Sequence, residues 1–235
     1  MVVLRTSMKM AAAALAAGAV LTGCGPVRMG AAAVMTSQRI SVSTLAAQVS
    51  NLNQGYLRYK GKVALQYPVS QMPQQVLGWL VRFRVRDQLA VARGIKVTPA
   101  QAQSALAAIR AQAQSGQSAP GATVNLAELA VANGLPPDLL TALARYQAIE
   151  VVLLDRLDGG KLPTSSVAQE ALGVQFAKAE CLAAKQLDIT INPQFGRLDY
   201  SEYSIISAPT TLSATGPSVS PAASPSAAPQ LTPAC

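Results

Sequence analysis

The chain has 235 residues, half of them apolar, 4% aromatic and 13% charged, with 19 basic against 11 acidic side chains and no histidine. Without an imidazole, Ser-His-Asp and Cys-His nucleophilic sites are excluded, as are zinc sites with imidazole ligands. The formal net charge of +8 favours an anionic neighbouring surface, but the basic residues are scattered, which argues against nucleic acid.

Arg5 and Lys9 precede an apolar run over residues 10–21, and small residues follow in Leu21-Thr22-Gly23-Cys24. A basic start, a short apolar stretch and small residues before a cut are the parts of an export signal. The run is too short and alanine-rich to span a bilayer alone. Leu-Thr-Gly-Cys resembles a bacterial lipobox. That resemblance implies cleavage after residue 23, diacylglycerol on the Cys24 sulfur, acyl chains such as palmitate, and a tether over residues 24–29. The expected location is the extracytoplasmic face of the cell membrane. Loss of Arg5 and Lys9 leaves 17 basic against 11 acidic residues, a net charge of +6. A buried acyl chain contributes roughly 0.8 kcal/mol per methylene, and a basic surface adds attraction to anionic headgroups.

Residues 30–206 are one domain's worth of sequence and read as mainly helical. Residues 32–35 are small and apolar and end at Thr36-Ser37-Gln38, as a short strand would. Ser43 is a candidate N-cap for a helix carrying Leu45, Val49 and Leu52. Pro73 starts a long helix over residues 74–93, stopped by Gly94. Thr98-Pro99 is a cap followed by proline at the first helical position; its helix puts Ala102, Ala105, Leu106, Ile109 and Ala113 on one face. Residues 114–123 are rich in Ser, Gly, Pro and Gln and read as a surface loop. Asn125 and Glu128 can cap a short helix reciprocally, which Gly134 ends. Pro137-Asp138 opens another, with Leu139, Leu143, Tyr146, Leu153, Leu154 and Leu157 on its apolar face. Ser165 or Ser166 starts a helix to about Lys185, with Leu172, Phe176, Ala179 and Ala183 on one face. Leu187, Ile189 and Ile191 alternate with polar residues before Pro193, a second strand that should pair with the first across the domain.

Residues 207–235 contain 6 prolines, 6 serines, 4 threonines and 7 alanines, with no charge and no ring. Such a segment buries too little apolar surface to offset its ordering entropy and reads as a disordered tail. Beyond Cys24 the cysteines are Cys181 and Cys235. In an oxidising compartment they can form a disulfide; alternatively Cys181 is a small core residue and Cys235 a free thiol. Gly159-Gly160-Lys161 lacks the flanks of a phosphate loop, and the acidic residues form no close motif for calcium or paired acid/base work. Nothing specifies a catalytic residue, a cofactor, a metal or an oligomeric state.

Three segments together are similar to the N-terminal chaperone domain of the SurA/PrsA-type foldases. Residues 32–41 resemble that family's opening strand, turn and second short strand, with Thr36-Ser37 where the family usually has Asn-Gly. Residues 85–98 resemble its long helix, Gly-Ile turn (Gly94-Ile95) and Val-Thr cap (Val97-Thr98) before the next helix. Ile189-Thr190-Ile191-Asn192-Pro193-Gln194-Phe195-Gly196 resembles its Val-Asn-Pro-Arg-Tyr-Gly ending. The resemblance implies a helical domain whose terminal strands pair, and a groove holding extended exported chains. It lacks the family's inserted parvulin isomerase: the junction at residues 159–166 is too short for a domain.

Trp79, Leu80 and Phe83 are candidates for a client groove or for core of the longest helix. Tyr56, Arg58, Tyr59, Lys60 and Lys62 mix rings and charge where helix signals are weak, as a membrane-surface or partner-binding loop or a solvated connection would. Tyr200 and Tyr203 follow the last strand. Asp87 and Glu150 fall within apolar faces, where each needs a donor (Arg84 for Asp87) unless it reaches water at a face edge. The expected function is a membrane-anchored, non-enzymatic, chaperone-like binder of exported polypeptides. The alternative is a structural lipoprotein docking an envelope partner or the cell wall.

Overall fold

A computed structural model describes residues 30–115, 124–160, 165–200 and 203–206. The signal, Cys24, the 207–235 tail, Cys235 and most of the loop expected over 114–123 lie outside the described residues. The domain is mainly α-helical, with small antiparallel sheets.

Strand β1 (Ala31–Val34) lies between β2 (Arg39–Ser41) and β3 (Thr190–Ile191), both antiparallel to it. Ala33 faces Ile40 on one side and Ile191 on the other. The expected pairing of the domain's two ends is thus present, inside a three-stranded sheet. The second strand is shorter than its alternation suggests. Leu187 still belongs to the preceding helix, and Asp188 adopts φ 46° as its cap, so only two residues remain to pair. Thr36 and Asn192 seal this junction. The Thr36 amide and hydroxyl donate to the Leu187 carbonyl, and the Asn192 side-chain amide donates to Ala31 O at 3.0 Å.

Helix α1 (Val42–Arg58) is capped by Ser41, not Ser43: Ser41 Oγ accepts the Thr44 amide at 2.9 Å. Ser41 closes β2 in extended backbone, which leaves it in the cap conformation one turn before Leu45. Helix α2 (Met72–Ala92) starts two residues before the expected Gln74 and ends with Gly94 at φ 59°. Val76, Leu77, Val81, Val85 and Leu89 are buried around most of its girth, because α1 and the later helices surround it. Helix α3 (Pro99–Ser115) opens with a Thr98/Gln101 capping box; only Ala105 of its expected face is fully buried. In α4 (Leu126–Ala132), Asn125 accepts the Ala127 amide, but Glu128 takes the Asn125 side-chain amide rather than its backbone N–H.

Pro137 and Asp138 form a 3-10 turn, and α5 proper runs Leu140–Leu157. Its buried line is Ala144, Ala148, Ile149 and Leu153, rotated from the expected leucine face. Helix α6 (Ser166–Leu187) is capped by Ser165 and buries Ala179 and Ala183 as expected, together with Ala184 and Leu187. A hairpin that the sequence did not announce, β4 (Arg197–Asp199) with β5 (Ser204–Ile206), lays β5 across α2 at Gly78. Gly196 leads into it at φ 120°, where a Cβ would overlap the Ile206 carbonyl. Among the described residues no helix is long and apolar enough to cross a membrane.

Candidate recess around Trp79

Arg86 projects from α2 into the space where α5 and α6 approach, and is only 2% exposed. Its Nη1 donates to Glu150 of α5 at 3.0 Å, while Nε and Nη2 both reach Glu180 Oε1 of α6, at 3.0 and 2.9 Å. Its guanidinium carbon sits 3.8 Å from the Tyr146 ring centre and 4.7 Å from that of Phe176. Burial works against the charged form, but Glu180, Tyr146 and Glu150 outweigh it and hold the guanidinium pKa above its ordinary value. One cation thereby engages two carboxylates and fixes three helices in register; neither carboxylate is presented as a free base.

Above this cluster opens a recess of about 360 Å³, lined by Trp79, Arg82, Tyr146, Glu150, Glu180, Cys181, Tyr200 and Tyr203 among others. Trp79, Phe83 and Tyr146 stack in tilted and edge-on contacts with centres 5.8–6.5 Å apart. The Arg82 guanidinium lies 5.0 Å from the Trp79 ring centre. Burial pushes the Tyr146 and Tyr203 hydroxyls up from their ordinary pKa, and Tyr200 as well. Trp79 also borders a smaller apolar hollow of about 170 Å³, formed with Ile109, Leu126, Leu129, Leu135, Leu140 and Leu143. Its indole N–H donates to Asn133 O at 3.0 Å, fixing the ring between the two spaces.

The residues singled out from the sequence fall in four places. Trp79, Tyr200 and Tyr203 meet at the recess, and Glu150 at its floor. Leu80 instead packs against the main core, and Phe83 lines a small cleft with Arg86 and Asp87. Tyr56 and Arg58 belong to the last turn of α1 and not to a loop, and Tyr59 is its C-cap. Asp87 sits at a face edge, 40% exposed, paired with Arg145 at 2.9 Å rather than with Arg84. Arg145 is one helix away, on α5, beyond the reach of a single-helix projection. Arg86 and Glu180 were missed. The signal was Arg82-Phe-Arg-Val-Arg86: residues 82 and 86 share one side of a helix and 84 the other, so a central helix cannot expose all three.

Cys181 is half-buried on the recess wall and is disulfide-bonded. The other two cysteines of the sequence, Cys24 and Cys235, both lie outside the described residues. Comparison with protein-family models, with curated proteins and with solved structures finds no match.

Proposed function

We propose that the chain is an envelope lipoprotein, anchored through Cys24 on the extracytoplasmic face of a membrane, that holds extended or partly folded exported polypeptides without catalysing a reaction. The observation that carries this reading is the pair of hollows divided by Trp79. One is apolar and lined by leucines and Ile109; the other is walled by aromatic rings. A chain segment with alternating apolar and polar side chains finds partners in both. Its resemblance to the chaperone domain of the SurA/PrsA-type foldases points the same way. The competing reading, a lipoprotein docking one envelope partner, draws on Val151, Val167 and Val174, which are 60–75% exposed on α5 and α6.

Aggregation assays separate the two. The chain carrying Cys24→Ser, near equimolar, should slow aggregation of several unrelated unfolded proteins. Leu129→Ser with Leu143→Ser, both half-buried on the apolar hollow, should lose most of that protection while retaining the helical circular-dichroism signal. Protection of no client, beside a working positive control, would sink the chaperone reading and leave the docking one.

A further inference from the structure

The wall of the recess carries a disulfide whose partner is one of two cysteines. If Cys24 bears diacylglycerol its sulfur is a thioether and cannot bridge, which leaves Cys235. That step rests on the lipoprotein reading. Cys235 ends a segment that begins directly after β5, and β5 itself lies on α2 beside the recess. The 29 residues from 207 to 235 reach from there to Cys181 many times over.

The chemistry of that segment matches the wall. Prolines recur at every fourth position from Pro217 to Pro233, with only small or uncharged residues between. Arg82 lines the recess with Glu150 and Glu180, and Arg86 lies buried beneath them, paired to both carboxylates, so the four charges sum to zero and leave little net charge for a charged ligand. It presents the rings of Trp79, Tyr146, Tyr200 and Tyr203. Proline-rich segments dock on aromatic walls of this kind because the extended proline helix is preformed and loses little entropy on binding.

We propose that the recess is a polyproline-binding site whose resident occupant is the chain's own segment 217–235, clamped by a Cys181–Cys235 disulfide. Closing the clamp joins the two sulfurs and passes two electrons and two protons to the disulfide of an extracytoplasmic dithiol oxidoreductase, which leaves as a dithiol; reduction reverses it. The clamp keeps the segment at high local concentration over the recess, and reduction frees the recess for other proline-rich chains.

The test uses full-length protein extracted from membranes with thiols alkylated before lysis. Non-reducing peptide mapping should return Cys181 linked to Cys235, and Cys24 on a diacylglyceryl peptide. A Cys24–Cys181 link overturns both the clamp and the lipoprotein reading. A lipidated Cys24 with Cys181 and Cys235 free overturns the clamp alone. Trp79 is the single tryptophan of the chain and reports occupancy. Its quenching by acrylamide should rise about twofold on reduction or in Cys235→Ser, and a synthetic peptide of residues 217–234 at millimolar concentration should reverse the rise. Equal quenching in oxidised, reduced and Cys235→Ser protein would show that the disulfide does not control access to the recess and overturn the proposal.

Discussion

Arg86 is almost fully withdrawn from water, and a lone guanidinium there would cost several kcal/mol of desolvation. Glu150 and Glu180 offset that cost, and the dependence runs both ways: Glu180 is 12% exposed and takes both of its close contacts from Arg86. Removing the cation alone therefore strands a buried carboxylate. Arg86→Met should destabilise the domain by about 3–5 kcal/mol, whereas Arg86→Met combined with Glu150→Leu and Glu180→Leu should recover most of the loss. Urea midpoints at constant slope measure both. A single substitution costing under about 1 kcal/mol would mean that water reaches the cluster and the ions are not truly desolvated. The Arg145–Asp87 pair, 48% and 40% exposed, has no such leverage.

The hairpin is the element on which the recess depends most, since Tyr200 and Tyr203 come from its edges and β5 rests on α2 at Gly78. Gly196 permits the close return of the chain onto Ile206. Gly196→Ala meets both a disfavoured φ and an occupied space, so the hairpin should lift from α2 at a cost of more than about 1 kcal/mol. Hydrogen exchange should quicken in residues 197–206 while α1 keeps its protection; unchanged exchange in the hairpin would mean the turn re-forms around the methyl group. That hairpin was illegible because three-residue strands are too short to establish an alternation. Capped helices were legible, as Ser165 and Thr98 show, since capping is local chemistry. Faces were legible where branched residues mark them, as at Ile109, and were misjudged in α5, where Ala144 and Ala148 occupy the tightest line and leucines flank it. Alanine is buried by close helix approach, a property of the pair of helices and not of either sequence. The Arg86 cluster failed for the same reason: its three members come from three helices.

At the scale of the whole molecule, buried phenols set the alkaline limit. Tyr67 is pushed up from 10.0 to about 12 by burial, and its hydroxyl donates to Val131 O. Tyr146, Tyr200 and Tyr203 are raised as well, each chiefly by burial. The folded chain thus keeps protons that the unfolded chain releases, so this contribution is fully present below about pH 10 and is lost as the pH rises towards 12. Denaturation midpoints should fall over that window, with Tyr67→Phe flattening the fall. A midpoint independent of pH there would show the phenols to be solvated in the native state.

The placement of β1 between β2 and β3 also sets the order in which the molecule can be completed. One flank of β1 is supplied within ten residues, the other only by Thr190 and Ile191, more than 150 residues later. A chain emerging N-terminus first, from a ribosome or through a membrane pore, must keep that flank unpaired until nearly the entire domain has emerged. The last-made strand then closes the first-made one, so a chain stalled before residue 190 carries its helices yet presents an open β edge to any extended neighbour.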